Sequence, residues 1–158
     1  MHPTETSTSD ASHEDLPDLR IIEADFSYIE VIRVLNEVIF EEQRIINTFE
    51  REDLLMLLAY LGDEPAGFKI GYKESRFVFY SAKGGVLPEY RRYGIARRLL
   101  EEMMRRAREK GYPRFAFDTF PNRHPGMAVL ALTEGFRLTK ADYNTLYKDY
   151  RLRFEKKL

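Results

Sequence analysis

The 158-residue chain contains no cysteine. That absence excludes disulfide frameworks, Cys-based metal sites and catalysis through a Cys acyl-enzyme. No apolar run approaches the roughly 18 residues a membrane-spanning helix needs, and the N-terminus lacks the basic-then-apolar order of a signal peptide. A cytoplasmic protein without membrane contact is the expectation. Net charge is also lacking: 25 Lys and Arg stand against 26 Asp and Glu, a formal charge of -1. With no whole-chain field to attract nucleic acid, a polyanionic partner has to be met locally. Neither Gly-x-Gly-x-x-Gly nor the Walker Gly-Lys-Ser/Thr ending occurs, which argues against Rossmann and P-loop sites.

Residues 1–18 have no Lys or Arg and a single leucine. Such a stretch has too little apolar surface to order itself and is expected to be a disordered tail, with His2 and His13 solvated rather than bound to metal. Residues 19–158 are long enough for one domain with a real core and too short for two. The apolar share of 44% and aromatic share of 13% are those of a globular chain.

The stretch over residues 84–110, GGVLPEYRRYGIARRLLEEMMRRAREK, organises the rest. It leaves a strand, breaks at Pro88 and passes through an Arg- and Gly-bearing turn into an amphipathic helix. Pro88 cannot donate to a sheet ladder and Gly94 tolerates any backbone angle, so the helix can begin with several amides unpaired. Those amides, the positive end of the helix dipole and the pair Arg91 and Arg92 make a site for a pyrophosphate-like anion.

In order along the chain, LRIIEAD reads as a strand ending at Asp25, a helix N-cap. Residues 26–40 repeat apolar side chains at helical spacing, and Ile45, Ile46 and Phe49 suggest a second short helix over residues 41–53. LLMLLAYL, a turn at residues 62–65 and AGFKIGY predict a hairpin, with residues 77–87 as the next strand of a meander. Gly84-Gly85 near its end marks a bulge or a close approach to the backbone. The helix over 94–110 turns Ile95, Leu99, Met103 and Ala107 inward, pairs Glu101 with Arg105 and Glu102 with Arg106 outward, and stops at Gly111. A strand over 112–120, a short helix over 127–134 and two strands around a turn at 142–144 complete the chain.

Arg91-Arg92-Tyr93-Gly94-Ile95-Ala96 fits Arg/Gln-x-x-Gly-x-Gly/Ala and resembles the acetyl-coenzyme A loop of the GCN5-related N-acetyltransferases, the GNATs. Val86-Leu87-Pro88 precedes it at the right distance, and PNRHPGMAVLALTEGF looks like the second signature of that family. The resemblance implies an α/β (α+β) GNAT fold: a mixed, mostly antiparallel sheet of about seven strands flanked by about four helices. It also implies acetyl-coenzyme A as co-substrate, its acetyl group passing to a primary amine by direct attack in a ternary complex. Val86, Leu87, Arg91, Arg92, Tyr93, Gly94, Ile95, Ala96 and Asn122 then contact the cofactor, and no metal is expected.

The sequence departs from the family at one point. The tyrosine that usually protonates the departing thiolate lies four residues before the glycine of the Gly-Phe ending, and here that position is Ala131. Tyr80 and Tyr143 are the candidates to replace it, and Glu41, beside Glu42, is the candidate base. His124 either lines the cleft or caps the short helix. The acceptor, a small-molecule or peptide amine, is not legible, and a monomer and a homodimer both stay open. A non-catalytic acetyl-coenzyme A-binding module would explain Ala131. A protein-interaction role would explain the Arg-rich helix face, although glutamates alternate along it.

Overall fold

In the computed structural model, residues 18–158 are described; the expected tail, apart from Asp18, lies outside them. The order is β1 (Leu19–Ala24), a 3-10 turn (Phe26–Tyr28), α1 (Ile29–Phe40), β2 (Leu55–Leu61), β3 (Glu64–Ser75) and β4 (Val78–Val86). A second 3-10 turn (Pro88–Tyr90), α2 (Ile95–Glu109), β5 (Arg114–Thr119), α3 (Pro125–Thr133), β6 (Arg137–Asn144) and β7 (Asp149–Lys157) follow. One seven-stranded sheet runs β1-β2-β3-β4-β5-β7-β6. Only β4 and β5 pair in parallel, because α2 carries the chain from the end of one strand back to the start of the next.

Alternation along the strands separates two cores. Phe68, Ile70, Met56 and Leu58 pack under α1 with Ile32 and Leu35. Leu57, Phe79, Phe115, Phe117 and Phe154 pack on the other face with Leu99, Leu100 and Met103 of α2 and Ala131 of α3. Phe79, Phe115 and Phe154 are all essentially sealed from solvent, each contributing about 2 kcal/mol of transfer free energy.

Local signals hold at several boundaries. The Asp25 carboxylate accepts from the Ser27 amide, and Gly111, at φ 93°, ends α2 in the left-handed region. On the outer face of α2, Arg105 reaches Glu102 and Glu109 and Arg106 reaches Glu102. The expected Glu101–Arg105 pair is replaced by these.

Three α-helices form, one fewer than expected, because residues 41–53 are not helical. Glu41 takes φ 57° and stops α1. The buried Asn36 side chain then donates from Nδ2 to the carbonyls of Glu42 at 2.8 Å and Arg44 at 3.3 Å. Those contacts fold the chain back over α1, while Ile45, Ile46 and Phe49 still bury against the α1 core. Helical spacing therefore reported burial here and not helix. The last hairpin also turns later than expected: β6 runs through Asn144, whose Oδ1 accepts from the Tyr147 amide, placing the turn at residues 145–148.

Candidate functional site

The site begins with a divergence of strands. β4 and β5 pair over only four positions, residues 78–81 with 114–117. β4 continues to Val86 while keeping its register with β3. On the β5 side, the backbone of residues 82–86 therefore has no strand partner. A row of amides and carbonyls in that state requires other partners, and an extended ligand with amides of its own would supply them.

Gly84 and Gly85 are explained by their two faces. A Cβ on Gly85 would lie 2.8 Å from Cγ2 of Ile39 and 3.3 Å from the Phe40 ring, so this glycine lets the end of α1 seat on β4. A Cβ on Gly84 would lie 3.1 Å from Cγ of Lys69 on the opposite face. The close approach expected of the glycine pair is thus made by side chains of the protein itself, and the bulge falls earlier, opposite Ile70 and Gly71.

Beyond Val86 the chain forms the turn expected to bind an anion. Arg92 and Gly94 are both left-handed, at φ 73° and 79°. The first helical amide bond is Arg98 N to Gly94 O, and no side chain caps the helix start. The amides of Ile95, Ala96 and Arg97 are left pointing outward with the dipole behind them, and no acid stands in the first turn. Nothing lies within 4 Å of a Cβ built on Gly94, so open space lies in front of it, and its left-handed φ is one that glycine adopts without strain. Arg91 is turned inward: its Nε donates to the Val86 carbonyl at 3.0 Å and braces the turn. Arg92 and Tyr93 are exposed and Ile95 is buried in the core. Leu87 donates its amide to Ala66, tying the turn back to β3.

The α1 face of the divergence carries the remaining groups. Tyr80, on the penultimate pair, donates its hydroxyl to Asp118 Oδ2 of β5 at 2.5 Å. Burial, with the Asp118 carboxylate beside it, pushes the Tyr80 phenol well above its ordinary range. Arg153 lies over the Tyr80 ring and pairs with Glu74 and Glu155. Further along, Lys83 Nζ donates to Glu42 Oε1 at 2.5 Å and to the Arg44 carbonyl at 3.0 Å, and lies over the Phe40 ring. The Phe40 ring meets that of His124 edge-on at 5.7 Å. His124 occupies the N-cap position of α3 without a side-chain cap bond. Burial, and the charges of Arg123 and Arg91, hold its imidazole below the ordinary pKa and favour the neutral ring.

Several expected site residues stand apart. Glu41 is exposed at the end of α1. Asn122 gives its Nδ2 to Asp149 at the start of β7 at 2.9 Å. Tyr143 is half exposed on the edge strand β6, packed edge-on against Tyr150 at 5.2 Å. Tyr80 and Tyr143 are not brought together. Asp118, Lys83, Phe40 and Lys69 were not anticipated from sequence. Of these only Lys69 left a trace, as a lone charge within the apolar run AGFKIGY.

No match was found among curated proteins compared by sequence. Comparison of structures shows the same fold in the ribosomal-protein-S18-alanine N-acetyltransferase of Escherichia coli. The identity is 16% and the TM-score 0.76, over 89% of this chain and 94% of that one. A Bacillus subtilis acetyltransferase in complex with CoA aligns at 19% identity and TM-score 0.76, over 89% and 99% of the two chains. An Arabidopsis thaliana protein in complex with the bisubstrate analogue CoA-Ac-MVNAL aligns at 19% and 0.75, again over 89% and 99%. At the level of sequence, the acetyltransferase (GNAT) domain model matches residues 43–124, just over half of the chain and the part that contains the divergent strands and the open turn. The chain belongs to the GNAT acetyltransferase family.

Proposed function

We propose that this protein is an acetyl-coenzyme A-dependent N-acetyltransferase, with residues 19–158 as one catalytic domain, acting on a primary amine by direct attack in a ternary complex. The observation that carries this reading is the unpaired β5-side edge of residues 82–86 leading straight into the uncapped start of α2. The edge suits the pantetheine amides, and the amides of Ile95, Ala96 and Arg97 suit the pyrophosphate, with Arg92 adding charge. Arg91 contributes by holding Val86 and the turn in shape. Leu87, Tyr93 and Gly94 form the wall along which the cofactor passes, and Asn122 contributes by fixing the opposite rim to β7.

With the thioester at the divergence, the amine approaches from the α1 face between Phe40, Lys83 and His124. Its proton leaves to a carboxylate or through water. Glu42, which Lys83 holds beside Phe40, and Asp118, which accepts from Tyr80, border that approach. The solved structures named for an alanine of a ribosomal protein and for a peptide-bearing bisubstrate analogue support a peptide amine as acceptor, and a small-molecule amine stays open.

The test is a screen of free amines, polyamines, amino acids and peptide N-termini, with release of coenzyme A thiol as readout. Amine-dependent release is the expected result. The competing reading, a cofactor-binding module without turnover, is favoured by Ala131, which fills the usual tyrosine position with a sealed core contact. Tight cofactor binding with no thiol release from any amine would support that reading instead.

A further inference from the structure

Lys69 is the one buried charged side chain among the described residues, at 5% exposure. It lies on β3 opposite Leu57 of β2 and Gly84 of β4. Leu57 belongs to the core under α2 and α3, whereas the neighbours Phe68 and Ile70 belong to the α1 core. Lys69 therefore points to the same face as Ala131. β2, β4, α2 and α3 turn mainly aliphatic and aromatic side chains toward this face; its titratable members are Tyr112, whose hydroxyl donates to Asp53, and the half-buried Tyr90 at its margin.

The missing Cβ of Gly84 lets the Lys69 stem lean across β4. Its Cγ comes within 3.1 Å of where that Cβ would stand. Gly84 is in the part of β4 with no β5 partner, so the stem leans toward the open edge of the divergence. Among the described residues no charge or hydrogen bond compensates the ammonium, and burial lowers its pKa from 10.5 to about 8. Nζ is not among the fully buried side-chain polar atoms without a partner in the described residues, the one such atom being Asn36 Oδ1. Ser81 and Thr119 are the other buried polar side chains whose strand positions alternate onto this face, and both flank the point where the strands part.

We propose that Lys69 reaches across Gly84 to the sulfur of the bound cofactor and donates its proton to the departing coenzyme A thiolate, taking the role left vacant by Ala131. This rests on the acetyltransferase reading given above. The amine nitrogen forms its bond to the acetyl carbonyl carbon, the carbon–sulfur bond breaks and the electron pair passes to sulfur. The Nζ proton of Lys69 moves to that sulfur, the amine's own proton leaves on the α1 side, and neutral Lys69 is reprotonated from water. A donor near pH 8 is matched to a thiol whose pKa is roughly 8.5, so neither direction of transfer is steeply uphill.

The deciding experiment titrates the thiol of coenzyme A bound to the protein, followed by thiolate absorbance, in wild type, Lys69→Met and Lys69→Arg. Turnover is not required. In wild type, the bound thiol should ionise at lower pH than free coenzyme A. Lys69→Met should abolish that shift while coenzyme A still binds. Lys69→Arg should retain it, because the charge remains. With a turned-over amine, both variants should lose roughly a hundredfold in kcat at an unchanged KM for acetyl-coenzyme A. The wild-type decline in kcat above about pH 8, where the donor is lost, should disappear. A bound thiol that titrates identically in wild type and Lys69→Met overturns the role of Lys69 and leaves the site standing. Failure of the wild type to bind coenzyme A overturns the site, and Lys69 with it.

Discussion

The hydroxyl of Tyr80 donates to Asp118 Oδ2 at 2.5 Å, joining β4 to β5 one residue before the two strands separate. Its proton is thereby committed to a carboxylate, and burial raises the phenol further from the range of a thiol. Protonating a thiolate from such a group is uphill. Tyr80→Phe and Tyr143→Phe should each hold kcat within a few fold of wild type. Tyr80→Phe should also lower stability by about 1–2 kcal/mol, because Asp118 loses a donor in a partly buried setting. A hundredfold fall in kcat for either folded variant, with KM unchanged, would assign the acid to that tyrosine.

Gly94 is tested by size and by angle separately. At φ 79° with open space before it, Gly94→Ala should cost about 1 kcal/mol of stability through backbone strain alone and bind coenzyme A nearly as well. Gly94→Trp should fold, by circular dichroism, and lose cofactor binding by calorimetry. Unchanged affinity in the tryptophan variant would be incompatible with phosphate binding at this turn.

Lys69 makes a stability prediction independent of chemistry. Its pKa is about 8 folded and 10.5 as an ordinary lysine. Between those values the unfolded chain binds more protons, so wild-type stability should rise as pH increases from 8 to 10.5 and reach its full penalty below 8. Lys69→Met should flatten that rise and be more stable at neutral pH by about 3 kcal/mol. Urea denaturation at pH 7 and pH 10 gives the comparison. A variant less stable than wild type at pH 7 would mean that the ammonium has a favourable partner after all.

Asn36 holds the segment after α1. Asn36→Ala should leave the Glu42 and Arg44 carbonyls without their donor and cost about 1–3 kcal/mol. Because Lys83 anchors to the same Arg44 carbonyl and to Glu42, hydrogen exchange should quicken over residues 41–49 with little change in β5 and β7. Uniform quickening across the sheet would show instead that Asn36 supports the whole domain.

What the sequence determined by itself is what short-range physics enforces. The turn at residues 62–65 that pairs β2 with β3, the spacing of Ile95, Leu99, Met103 and Ala107, the Asp25 cap and the Gly111 stop depend on neighbours within a few residues. The Arg91–Ala96 turn was legible for the same reason, since a left-handed glycine before a helix creates its open amides locally. The tertiary structure decided everything that depends on partners distant in the chain. Whether residues 41–53 became helix turned on what Asn36 did with two carbonyls. The meaning of Gly84-Gly85 turned on Lys69 from one side and Ile39 and Phe40 from the other. Asp118 acquired its tyrosine across 38 residues, and Lys69 acquired its buried, unpaired state from a face of the sheet that composition does not reveal. Local propensity is written in adjacent residues; desolvation and the pairing of charges exist only once distant segments have excluded water together.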